Sequence, residues 1–155
     1  MRSGETSSTP GGHKRILIDT CVWIYHLEEH PEFGPPAARV IENLEEDRFR
    51  AIASELTLLE LTVPPLQLGR QDVADDYEVL LDYFPHLELI PISREILLDA
   101  AALRARHKLR TPDSIQLATG LRSGATLAVT NDNLWQSAPL IETVLLNDLA
   151  ESRSS

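Results

Sequence analysis

The sequence predicts an α/β domain, a three-layer sandwich with a central, mainly parallel five-stranded sheet. Three observations lead there. Ile16, Leu17 and Ile18 form a run of branched apolar residues that stops on Asp19, the pattern of a strand buried on both faces. Further short apolar runs at 51–53, 87–92, 126–129 and 143–146 alternate with stretches of helical periodicity, and such alternation closes into a parallel sheet covered on both sides. The 155 residues suit one such domain, large enough to bury its own core.

Taken in order, the first strand is followed by a short helix over 20–28 carrying Val22, Ile24, Tyr25 and Leu27, with Asp19 available as its N-cap. Pro31 and the Gly34, Pro35, Pro36 sequence break the chain before a helix over 37–47, in which Val40, Ile41 and Leu44 form one stripe. After the strand at 51–53, Ser54 can cap a leucine-rich helix over 55–63 that Pro64 and Pro65 close. Glu60 sits on that largely apolar helix. An amphipathic helix over 71–83 and the strand at 87–92 follow. Ser93 then caps a long helix ending in the basic run 104–110. Thr111, Pro112 and Asp113 read as N-cap, first position and first turn of the next helix, which Gly124 closes. The strand at 126–129 runs into Thr130, Asn131 and Asp132. The folded domain spans 15–147, between disordered tails at 1–14 and 148–155.

Composition narrows the functional classes. The single cysteine, Cys21, excludes an internal disulfide and suits a reducing compartment. The opening MRSGETSSTPGGHKR lacks the apolar centre of a signal peptide, and no stretch has the length of a membrane span, which predicts a soluble, cytoplasmic protein. A formal net charge of −10 argues against a general nucleic-acid binder. His13, His26, His30, His86 and His107 show no metal-ligand spacing.

Four acids occupy telling positions. Asp19 and Asp132 follow strands, while Glu60 and Asp113 lie on helices that start near the same carboxyl-terminal sheet edge. In open α/β sheets that edge is where loops converge on one crevice. Singly, each acid has a plain explanation: a helix cap, an Asx turn, a partly exposed helix position. Gathered together they would repel one another unless a cation held them. Oxygen-only ligands select hard ions, Mg²⁺ or Mn²⁺.

The stretches ILIDTCVWI, ASELTLLEL and KLRTPDSIQLATGLRSGATLAVTNDNLW make the chain, from about residue 15 to 146, resemble the PIN-domain family, and within it the VapC-like ribonuclease toxins of toxin-antitoxin pairs. The resemblance implies a Mg²⁺-dependent endoribonuclease whose catalytic, metal-holding acids are Asp19, Glu60, Asp113 and Asp132, with Thr20, Thr130 and Asn131 as polar support. Glu55 is an alternative middle acid that matches the pattern less well, and Ser114 stands where the family often has alanine. A homodimer and a small cognate antitoxin obstructing the groove are implied too.

RNA must reach this acidic site, and Arg104, Arg106, Lys108 and Arg110, with His107 among them, are the candidate RNA contacts. Reversing those charges is expected to weaken RNA binding and to leave Mg²⁺ binding alone. Two other readings stay open: a non-catalytic scaffold of the same fold that binds RNA or protein, and an acid-pocket phosphatase or receiver domain. The last is disfavoured because the first strand ends in Asp19-Thr20-Cys21 rather than in paired acids.

Overall fold

A computed structural model of the chain describes residues 14–138 and 140–154. The elements in order are β1 (Arg15–Ile18), α1 (Thr20–Leu27), α2 (Gly34–Glu45), β2 (Arg50–Ser54), α3 (Leu56–Gln67), α4 (Gln71–Tyr83), β3 (Leu87–Ile90), α5 (Arg94–Arg106), α6 (Thr111–Arg122), β4 (Leu127–Thr130), α7 (Asn133–Ser137), β5 (Glu142–Leu145) and α8 (Leu146–Ser154). The five strands form one sheet in the order β3-β2-β1-β4-β5, with every pairing parallel.

Alternation along β1 builds the three layers. Ile16 and Ile18 pack on one face with Val22, Trp23, Val40, Ile41 and Leu44 of α1 and α2. Leu17 packs on the other with Leu117 of α6 and Trp135 of α7. Successive strand residues point to opposite faces, so three apolar residues in a row serve two cores at once. The sheet grows outward from β1 through β2 to β3, then crosses to β4 and β5. The strand order therefore reverses between β1 and β4, and their carboxyl-terminal ends flank the switch point where such sheets bind ligands.

The structure departs from the sequence expectations at several ends. α2 begins at Gly34, because Pro35 and Pro36 occupy its first turn, where no helical bond needs their missing N–H. α3 runs through Pro64 and Pro65 to Gln67. Those prolines deprive the carbonyls of Glu60 and Leu61 of helical donors, and burial of Leu61 and Pro65 with α3 packed along α4 offsets that cost. α5 stops at Arg106, four residues before the end of the basic run. Arg110, extended at φ −75° and ψ 160°, is the N-cap of α6 in place of Thr111, whose hydroxyl instead accepts from Arg104.

The short helix α7, absent from the sequence expectation, follows Asp132. α8 carries the chain to Ser154 over residues expected to be a disordered tail, because Leu146 and Leu149 dock onto the α1–α2 side of the core. Of the tail expected at 1–14, all but Lys14 lies outside the described residues. Among the described residues no helix is long and apolar enough to cross a membrane.

Candidate active site

Asp19 follows β1 and caps α1. Its Oδ1 accepts from the Thr20 backbone N–H at 2.8 Å, and its own N–H donates to Val129 O at 3.0 Å, fixing it beside β4. Oδ2 accepts the hydroxyl of Thr130, the last residue of β4, at 2.7 Å, and the Cys21 thiol at 3.7 Å. The Thr130 oxygen in turn accepts from the Asp132 N–H at 3.1 Å. Asp132 caps α7 by accepting from Leu134 N at 2.9 Å. The Asn131 Oδ1 accepts from Asn147 N at 2.9 Å and anchors α8.

Asp113 lies in the first turn of α6 and is buried. Its Oδ2 accepts from Arg110 Nε at 3.1 Å, and the same guanidinium reaches Asp132 Oδ2 at 3.4 Å. Glu60, half-buried on α3, accepts the Thr20 hydroxyl at 2.7 Å. Glu55, the other middle acid, is exposed at the N-cap of α3.

Electrostatics bind these acids into one unit. Burial pushes the Asp19 carboxyl up to about 6, and the negative charges of Asp113 and Glu60 push the same way, while the Thr130 hydroxyl and Thr20 N–H pull down. The Cys21 thiol is raised by burial first and by Asp19 second, so it holds its proton at neutral pH and is no nucleophile.

Asp113 and Glu60 thus both lie within electrostatic reach of Asp19, and Asp132 joins through Arg110 and Thr130. The four are not preassembled as one cage. Among the described residues no three acid, histidine or cysteine side chains are placed to hold an ion together. The donor chemistry nonetheless fits a hard, hydrated cation. The acids offer oxygen alone, Mg²⁺ commonly takes one or two carboxylates and keeps its waters, and Asp19, raised chiefly by burial, also feels the like charges of Asp113 and Glu60 that an added positive charge would offset.

Beside the acids lies a groove of about 530 Å³ lined by Asp19, Tyr25, Arg110, Asn131, Asp132 and Leu134 among others. A cleft of about 620 Å³ at the opposite sheet edge contains Arg15 and Arg50, already paired with Glu88 and Asp47, and it gathers no chemistry of its own.

The basic run divides. Arg104 donates to Leu109 O and to Thr111 Oγ1, both at 3.0 Å, and clamps the turn between α5 and α6. Arg106 and Lys108 are exposed, and Arg110 belongs to the acid cluster. Arg110 pairs with two of the acids, so reversing its charge would act on those carboxylates as well as on the basic surface. Sequence reasoning missed Gln116 and Thr57, which form a buried hydrogen-bonded group with Thr20. The available signal was an amide inside the apolar stretch Ile115 to Ala118, a place where a buried polar group needs partners.

An all-parallel α/β sheet whose carboxyl-terminal edge collects carboxylates and hydroxyls at its switch point defines an acid-site α/β domain. Residues 16–139 match the family model of the PIN domain, and the chain belongs to the PIN domain family.

Its fold is similar to that of VapBC2 from Rickettsia felis bound to a promoter DNA fragment, with TM-score 0.66 and 17% identity over 84% of this chain and 98% of that one. A toxin-antitoxin complex from Klebsiella pneumoniae is similar at TM-score 0.65 and 20% identity, over 86% and 98% of the two chains. FitAcB from Neisseria gonorrhoeae gives TM-score 0.61 and 19% identity over 83% and 95%. No curated protein matches significantly in sequence.

Proposed function

We propose that the protein is a Mg²⁺-dependent endoribonuclease that cleaves RNA phosphodiesters, the toxin of a toxin-antitoxin pair. The observation that carries this reading is the Asp19 carboxyl, raised first by burial and then by the charges of Asp113 and Glu60, and hydrogen-bonded to Thr130, at the switch point of a PIN-domain sheet. Asp19, Glu60, Asp113 and Asp132 would hold the ion, with Mn²⁺ able to take the place of Mg²⁺. Bound there, the ion would polarise the phosphodiester, lower the pKa of a water and steady the leaving oxygen.

The chain's own side chains do the rest. Thr130 and the Thr20 N–H orient the Asp19 carboxyl. The Thr20 hydroxyl orients Glu60. Arg110, paired with Asp113 and Asp132, receives the RNA backbone, with the exposed Arg106 and Lys108 adding basic surface. The Asp19 and Asp132 groove is the surface a cognate antitoxin would cover, in keeping with the toxin-antitoxin assemblies named among the similar folds. The protein acts in the cytoplasm as a homodimer.

Incubation of the purified protein with structured RNA and Mg²⁺, with and without chelator, tests the reading. Cleavage that needs the ion and disappears in Asp113→Asn is the expected result. Cleavage that survives the substitution points to a contaminant or to a different site, and its complete absence favours a non-catalytic scaffold.

A further inference from the structure

Beneath the acid cluster the structure holds a second polar group. Gln116, 1% exposed on α6, donates from Nε2 to Thr57 Oγ1 at 3.0 Å and to Thr20 Oγ1 at 3.2 Å, and its Oε1 accepts from the Ser54 N–H at 3.3 Å. It therefore ties together the end of β2, the first turn of α1, the first turns of α3 and the middle of α6. Ser54, Thr57 and Thr20 are buried as well.

The directions of these bonds follow from their chemistry. A backbone N–H can only donate, so Ser54 fixes which end of the Gln116 amide is oxygen. Both amide hydrogens then go to the two threonine oxygens. Thr20 has one hydroxyl hydrogen, with Thr57 Oγ1 at 3.1 Å and Glu60 Oε1 at 2.7 Å as its neighbours. The carboxylate is the nearer and the better acceptor, and charge-assisted bonds of this kind are the stronger ones. The chain thus runs in one direction, from Ser54 through Gln116 and Thr20, and ends on Glu60. Each donor polarises the next, and a fully satisfied buried network of this sort holds its members in one geometry.

We infer that Gln116 is a positioning residue, which, through Thr20, aims the Glu60 carboxylate at the acid cluster. This rests on the reading of that cluster as a divalent-cation centre. Gln116 touches neither substrate nor ion. Its effect on the centre passes through one hydroxyl, and Thr57 supports that hydroxyl from the other side.

The test is a double-substitution cycle read by calorimetric titration of the metal-free, full-length protein with Mn²⁺. Gln116→Met keeps the length and removes the amide, and the expected result is binding about tenfold weaker, the scale on which outer partners of metal ligands act. In a Glu60→Gln background the same change has nothing left to aim, and adds less than about twofold.

A merely structural role would weaken binding equally in both backgrounds, and that result overturns the inference. So does a Gln116→Met protein that binds as tightly as the unaltered one. Thr57→Val carries the same cycle if the Gln116 variant does not fold by circular dichroism. Failure of the underlying reading looks different: the unaltered protein takes up no Mn²⁺, or Glu60→Gln binds as well as it does, and the inference falls with it. Weakening by Glu60→Gln but none by Gln116→Met overturns the inference alone.

Discussion

Thr130 donates its hydroxyl hydrogen to Asp19 Oδ2 across 2.7 Å and so joins the carboxyl-terminal ends of β4 and β1. The bond pulls the Asp19 carboxyl downward against the upward push of burial and neighbouring charge. Thr130→Val keeps the shape and removes the donor, leaving the Asp132 N–H without its acceptor as well. The Asp19 midpoint should then rise above about 6, with stability at neutral pH lowered by about 1–3 kcal/mol. Carbon-detected carboxyl titration measures the midpoint, and one that stays put or falls contradicts the role given to Thr130.

The raised carboxyl also sets a pH dependence. An unfolded Asp19 titrates near 3.8 and the folded one near 6, so the folded state holds the proton more tightly. The stabilisation this supplies is complete below about pH 4 and is lost as pH rises through about 6. The change amounts to about 3 kcal/mol in the cation-free protein, at about 1.4 kcal/mol per pH unit. Thermal melts in chelator should show this loss, and Asp19→Asn should lack that part of it. Added Mg²⁺ favours the ionised carboxylate, so its stabilising effect should grow over the same interval. Parallel melting curves for the two proteins would contradict the prediction.

Arg110 spans Asp113 and Asp132 with an exposed guanidinium. The guanidinium is exposed but Asp113 is buried, so Arg110→Gln leaves that carboxylate without its donor and should cost about 1–3 kcal/mol of stability in the cation-free protein. It removes a cation that a divalent ion would have to compete with, and binding of Mn²⁺ should tighten. RNA affinity should fall, with the slope of log affinity against log salt shallower by about 1. Calorimetry and a salt series of filter-binding measurements check both halves. Weaker Mn²⁺ binding together with an unchanged salt slope would remove Arg110 from the site.

Gly120 decides how closely α6 approaches the sheet. A Cβ there would stand 2.7 Å from Leu17 Cδ2 and 3.1 Å from Leu17 Cβ, and Leu17 is fully buried. Gly120→Ala must displace Leu17 or α6, whose first turn carries Asp113. Overpacking of this kind costs about 1–3 kcal/mol, and cation binding should weaken with it. A denaturant midpoint equal to that of the unaltered protein would show that the contact yields freely.

Much of this was legible in the sequence wherever one residue type speaks for itself. Three consecutive branched apolar residues mark a strand buried on both faces, and the helix at 71–83 has the bounds its periodicity predicts. The ends governed by proline were less legible. Pro35 and Pro36 open a helix, while Pro64 and Pro65 lie inside one, and only the packing of α3 on α4 separates the two cases. Arg110 illustrates the limit at the site: a basic run reads as one surface, yet Arg104 clamps a turn and Arg110 meets two carboxylates. Gln116 and Thr57 acquire their meaning from side chains about 60 and 40 residues away, which no local pattern records.

The most direct measurement is paramagnetic broadening of side-chain carboxyl signals by substoichiometric Mn²⁺. Loss of the Asp19, Glu60, Asp113 and Asp132 resonances ahead of the surface acids of α2 and α4 is the predicted result. Uniform broadening across the acidic surface, or loss confined to α2 and α4 while Asp19 stays sharp, would contradict the claim that these carboxylates share one divalent ion.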